Sequence, residues 1–294
     1  MSLKKTTLTY IILSIFAMTN AKPVHVSEVL LKKGKLSASI TTSYINLKKI
    51  NSIVLPTEFQ TKNGDFITIP TYIGNKYIRE DYVDGLLTIK YGFSDKFEIY
   101  GAIDMFASNI TANINNSVTS EKNTGINTAY IGLRYQIKQE NDTPALLVGI
   151  SSDFYSKEKI RKKTYVNHFE SYRISVNTFY TIDPIVFSLK ASYGINLPKE
   201  FDKQNIVIGN MLTIAPEIYF AVNPSISFNW GLKYHYHGKS TINKQIRSSY
   251  SEISYTAGVS YALSSVDTIG LQVEVSNIPS KAKNTISMTI SHKF

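Results

Sequence analysis

At 294 residues the chain is long enough for one large domain or two ordinary ones, and its lack of cysteine excludes a disulfide framework and any thiolate metal site. The formal charge is +10, but Lys and Arg are scattered and form no stripe of the kind that tracks nucleic acid. Apolar residues make up 43%, too few for a bundle of membrane helices, whereas 20 Tyr and 14 Phe suit strands and the aromatic girdles of membrane barrels.

Lys4 and Lys5 precede an apolar run from Leu8 to Met18, which ends on the small-residue pattern Thr19-Asn20-Ala21. This predicts a secretory signal peptide over 1–21, too short to span a membrane as a helix. No later segment reaches the roughly 18 uninterrupted apolar residues that a spanning helix needs. Residues 22–34 read as a short periplasmic lead-in closing on Lys32-Lys33-Gly34.

From Leu36 the chain alternates. Leu36, Ala38, Ile40 and Tyr44 oppose Ser37, Ser39, Thr41 and Ser43. Successive strand side chains point to opposite faces, so this is a strand with one greasy and one wet side. A long connection is expected at 47–77, punctuated by Pro56, Asn63-Gly64, Pro70 and Gly74, with Asn63-Gly64 able to turn a small hairpin inside it. A strand near 78–92 sets Leu87, Ile89 and Tyr91 against Asp84, Thr88 and Lys90. The next sets Phe97, Ile99, Ile103 and Met105 against Glu98, Tyr100 and Asp104. Ile131, Leu133 and Tyr135 then oppose Tyr130, Gly132 and Arg134, while a strand at 145–156 alternates less cleanly. Strands with Arg173 and with Lys190 on their wet faces follow. Pro216 interrupts the one after, removes a ladder donor and predicts a bulge or local fraying. The cleanest alternation is Ile226, Phe228, Trp230, Leu232, Tyr234 and Tyr236 against Ser227, Asn229, Lys233, His235 and His237. Two more strands carry Glu252 and Glu274 on the wet face, and Ile286, Met288, Ile290 and the terminal Phe294 close the series.

Connections alternate in length. Tight turns at 93–95, 139–143, 183–184, 223–224 and 264–267 interleave with longer polar segments at 47–77, 107–126, 157–168, 197–205, 238–248 and 277–283. That asymmetry predicts an all-β, transmembrane antiparallel up-and-down β-barrel over 35–294, with short periplasmic turns and longer extracellular loops. About twelve strands fit the even count that puts both termini on the short-turn side, as ten or fourteen would.

Size decides which face meets lipid. Eight strands already leave an interior just filled by side chains, so a twelve-stranded lumen is too wide for these aliphatic residues to pack. The wet face also holds Lys90, Glu98, Asp104, Arg134, Asp153, Arg173, Lys190, Glu217, Lys233, Glu252 and Glu274. An apolar core would reject these charges, whereas a watery lumen accepts them. They are the candidate selectivity residues, either as opposed ladders that set up a transverse field or as structural salt bridges across strands.

At Tyr91-Gly-Phe-Ser-Asp-Lys-Phe-Glu-Ile-Tyr100, and again at Ile131-Gly-Leu-Arg-Tyr135, the chain resembles outer-membrane transporters of the meta-pathway phenol-degradation family. The stretch Leu30-Leu-Lys-Lys-Gly-Lys35 is similar to the segment that leads into their first strand. The resemblance implies a barrel over nearly all the mature chain and a channel for small, in part aromatic, compounds. The group is also similar to export pores of amyloid-type fibre systems, whose plug or coiled coil residues 22–34 are too few to supply.

Other features are weighed the same way. His235 and His237 share one face near the outer rim and would chelate a metal only if a third ligand such as His168 or Glu170 came close; no metal or cofactor is expected. Lys157, Lys159, Arg161, Lys162 and Lys163 make one outer loop basic, suited to lipopolysaccharide phosphates or simply to water. No Ser stands in an activating context, and Gly238-Lys239-Ser240 lacks the first glycine of a phosphate loop, so no catalysis is expected. The expected function is passive passage of small, aromatic or anionic solutes. The alternatives are export of a surface polypeptide and a surface receptor or adhesin using loop 47–77. Expected partners are outer-membrane lipid and lipopolysaccharide, the barrel-assembly machinery (through the terminal Phe294) and the small solute, with no nucleic acid.

Overall fold

The computed structural model describes residues 30–60, 66–114, 117–160, 163–201, 204–243, 245–278 and 281–294. The expected signal peptide, the Asn63-Gly64 turn, and Arg161 and Lys162 of the basic loop lie outside them. Twelve strands form the wall. They are β1 (Leu36–Gln60), β2 (Phe66–Ser94), β3 (Phe97–Ile114), β4 (Ser117–Lys138), β5 (Ala145–Ile160), β6 (Ser171–Ile182), β7 (Ile185–Asn196), β8 (Met211–Ala221), β9 (Ile226–His237), β10 (Tyr250–Ala262), β11 (Asp267–Ile278) and β12 (Lys281–Lys293). Each pairs antiparallel with its sequence neighbour, and β1 pairs with β12, so the sheet closes on itself.

Closure is zipped at the seam. Ile40 lies opposite Ile290 on the outside, while Thr41–Thr289 and Ser43–Ser287 join by side-chain hydrogen bonds of 2.9 Å inside. The Phe294 amide donates to the Leu36 carbonyl at 2.8 Å, tying the last residue to the start of β1. Beside it, at the periplasmic turn, the His292 ring donates to Asp267 at 2.7 Å, a bond that holds this carboxyl below its usual range.

The outside is apolar. Ile40 (57%), Trp230 (55%) and Tyr255 (64%) are broadly exposed there, as only a hydrocarbon solvent would favour. The inside carries the polar set, and the periodicity argument therefore assigned the faces correctly.

The loops are where expectation and structure part. All six of the longer connections were expected to be loops, and in each the described residues are drawn largely as extended ladder or hairpin. β1 and β2 run 25 and 29 residues, and their pairing continues to Gln60 opposite Phe66. A spanning strand needs only about 9–11 residues, so this hairpin extends far beyond the membrane, and 47–60 and 66–77 are paired as a continuation of the wall. Segment 107–126 likewise continues β3 and β4 to Ile114 and Ser117, and 277–283 belongs mostly to β11 and β12. In 157–168, Ser156 to Ile160 pairs with Lys163 to Asn167. In 197–205 and 238–248, Lys199–Phe201, Gln204–Val207, Ser240–Ile242 and Gln245–Arg247 make a second four-stranded sheet that bridges the two loops. The cause is solvent. Alternation marks a strand only where one face meets lipid, and beyond the membrane both faces meet water while the ladder carries on.

Pro216 frays its ladder without a bulge. β8 and β9 pair at Ile214–Tyr234 and resume in the same register at Glu217–Gly231, with Ala215 and Pro216 unpaired on that side.

Candidate transport lumen

Residues 30–34 of the lead-in turn inward. Leu30 packs inside the periplasmic mouth against Ala145, Leu147, Phe179, Val186 and Tyr219, all projecting from the lumen face. The Leu31 amide donates to Glu98 at 3.0 Å, and the Lys33 backbone amide donates to Asp95 at 3.0 Å. Gly34 and Gly92 exchange a further backbone bond of 2.7 Å. The approach is so close that a Cβ on Gly92 would stand 2.3 Å from the Lys32 carbonyl oxygen, which only glycine permits. Sequence reasoning placed a lead-in at 22–34 but outside the barrel. The signal it passed over is the run Ala145 to Ile150, which is apolar on both faces because the lead-in covers the inner one.

The predicted lumen charges do converge. Glu98 is fully buried and accepts from Arg134 as well as from Leu31. Lys190 binds Glu217 at 2.7 Å and Lys233 binds Glu274 at 2.6 Å. Asp104 accepts from Asn127 at 2.8 Å, and Asp153 accepts the Ser171 amide at 2.7 Å. Glu252 is buried on β10, opposite His235 in register. Cross-strand ion pairs thus take up Glu98, Arg134, Lys190, Glu217, Lys233 and Glu274.

The space between these residues forms a file of four cavities. The outermost, about 420 Å³, is bordered by Asp104, Asp153 and His237. It shares Tyr130 and Arg173 with a middle cavity of about 470 Å³, which Lys90, Arg134, Arg173, Lys190 and Lys233 surround. The middle one shares Lys190, Glu217 and Gln272 with a third of about 270 Å³ beside Thr289 and Ser291. That one shares Ser260 and Thr268 with a last cavity, about 360 Å³, at the periplasmic turns. The third and fourth cavities run along the β9–β12 wall, where Ser227 and Ser260 pair at 2.6 Å, and the lead-in occupies the other side of the mouth.

A larger cavity, about 860 Å³, lies on the outer face at the unpaired Pro216, among Phe187, Trp230, Tyr255 and Val273. It reaches Glu217 and Thr256 of the inner face where the ladder is open.

The rim histidines do not assemble a chelate. His235 bonds Thr213 at 2.8 Å and His237 stacks on Tyr250 at 4.4 Å. His168 bonds the Phe154 carbonyl at 2.6 Å and Glu170 takes Lys199 at 3.2 Å, so neither of the expected third ligands joins the pair.

An apolar exterior, a polar lumen and a closed twelve-stranded meander define a bacterial outer-membrane β-barrel. The fold is similar to that of an outer-membrane channel from Pseudomonas putida F1, with a TM-score of 0.62 and 10% identity over 94% of this chain and 100% of that one. It is also similar to the translocator domain of the autotransporter NalP from Neisseria meningitidis, with a TM-score of 0.52 and 6% identity over 99% of this chain and 96% of that one. No family model and no curated protein matches the chain.

Proposed function

We propose that the chain is an outer-membrane channel for the passive passage of small solutes, aromatic or anionic ones among them. The observation that carries this is the file of cavities sharing lining residues from the outer rim to the periplasmic turns. The lumen charges act as its selectivity residues, and 1–21 serves as its signal peptide. The resemblance to the phenol-degradation transporters fits this reading, as does the structural likeness to a channel. Likeness to a translocator domain fits polypeptide export instead. Fold does not decide between them, but cavities of this size and a mouth shared with Leu30 suit small molecules. Stepwise current on adding purified protein to a planar bilayer tests the channel; a silent, inserted barrel would refute it.

The open ladder at Pro216 favours a second route, in which apolar solutes pass between β8 and β9 from the membrane side. Pro216→Val restores the missing donor. It is expected to slow uptake of an apolar solute such as toluene into proteoliposomes while ionic conductance stays as it was. Equal toluene uptake by both proteins would remove this route.

Phe294 faces outward and is 60% exposed beside His292, at 4.4 Å between rings. Read as the signal taken by the barrel-assembly machinery, its deletion should lower the amount of heat-modifiable barrel in outer membranes and leave the conductance of barrels that do assemble unchanged. Lipopolysaccharide is the other partner this location supplies, with the basic loop around Lys157 as its contact.

A further inference from the structure

We infer that the middle cavity is a recognition site for small monovalent carboxylates bearing a flat apolar body, with Arg173 as the group that takes the carboxylate. This rests on the channel reading above. Five cations surround that cavity against one lining carboxylate, Glu217. Ion pairs engage Arg134, Lys190 and Lys233. Among the described residues Arg173 makes no ion pair, and it borders both the outer and the middle cavity. It therefore stands at the junction that a solute crosses, presenting a planar fork of donors that matches a carboxylate.

The shape of the wall specifies the rest of the ligand. Tyr100 and Tyr130 line the same cavity with rings 6.5 Å apart at 80°, and the Arg134 guanidinium lies 5.5 Å from the Tyr100 ring. Tyr100 is laid against Gly132, where a Cβ would come within 2.4 Å of its Cζ, so the glycine leaves the room in which the ring lies. A flat, apolar body fits beside two rings set edge to face, and a volume of about 470 Å³ suits a small molecule. Charge number follows from the approach. Asp104 and Asp153 border the outer cavity, so a dianion meets a steeper repulsion than a monoanion before it reaches Arg173.

The test uses the full-length barrel in a planar bilayer carrying KCl, with benzoate, its neutral isostere benzamide, or inorganic phosphate added to the outer side. Benzoate is expected to block the chloride current in a saturable way, and benzamide and phosphate far less. Arg173→Gln should raise the half-blocking benzoate concentration about tenfold or more, the worth of a charge-assisted hydrogen bond, with KCl conductance retained. Arg173→Lys should recover part of the block, and Tyr130→Leu should narrow the preference for benzoate over acetate. Equal block by benzamide or phosphate, or an unchanged half-block in Arg173→Gln, would overturn the inference while leaving the channel standing. A barrel that passes no current fails the channel reading instead. Calorimetric titration of the detergent-solubilised protein with benzoate then decides the site alone: saturable heat lost in Arg173→Gln supports it, and heat no different from benzamide overturns it.

Discussion

Deleting Leu30 to Lys33 is expected to raise single-channel conductance several-fold while the barrel still assembles. Among the described residues of the buried cluster, Leu30 alone does not belong to the wall, and it occupies the periplasmic mouth opposite the third and fourth cavities. β1 begins after the deleted residues, so the seam with β12 is untouched. Two substitutions approach the same end from the barrel side. Gly92→Ala puts a Cβ where the Lys32 carbonyl lies, and should expel the segment as a unit. Glu98→Ala leaves the Leu31 amide unsatisfied, at about 1–3 kcal/mol for a buried donor, and strips Arg134 of its carboxylate. It should give flickering openings between the wild-type and deletion levels. Conductance traces decide the matter: if all three variants match the wild type, the lead-in does not restrict the lumen.

Lys190→Glu combined with Lys233→Glu should reverse the sign of the zero-current potential in a KCl gradient. The wild-type middle cavity carries five cations and one lining carboxylate, which predicts anion preference. The double variant leaves Lys90, Arg134 and Arg173 against Glu217 and two new carboxylates, and it also removes the partner of Glu274. Water in so narrow a passage screens poorly, so the field of these groups acts at full reach on a passing ion. An unchanged reversal potential would mean that ions take a path that avoids this cavity.

How much of this was legible in the chain depends on which solvent each residue meets. The lipid-facing strands announced themselves, because hydrocarbon on one side and water on the other force a period of two, as in Ile226 to Tyr236. The lumen charges followed from the same parity, and Lys190, Glu217, Lys233 and Glu274 do pair inside. Pro216 foretold its frayed ladder, since a missing donor is a local property. What was missed depends on distant contacts or on losing the two-solvent contrast. β1 and β2 continue beyond the membrane where both faces are wet, so 47–77 looked like a loop. The uneven alternation of β5 was the mark of the lead-in, but Leu147 reads as noise until Leu30 is placed against it. The Tyr100 ring over Gly132 is a cross-strand fact that no single segment encodes.

The most direct test of the account is the conductance of the wild-type barrel in a planar bilayer under a KCl gradient. A small, anion-preferring unitary conductance that grows when residues 30–33 are removed is the predicted result. An inserted barrel that stays silent both with and without those residues would contradict it.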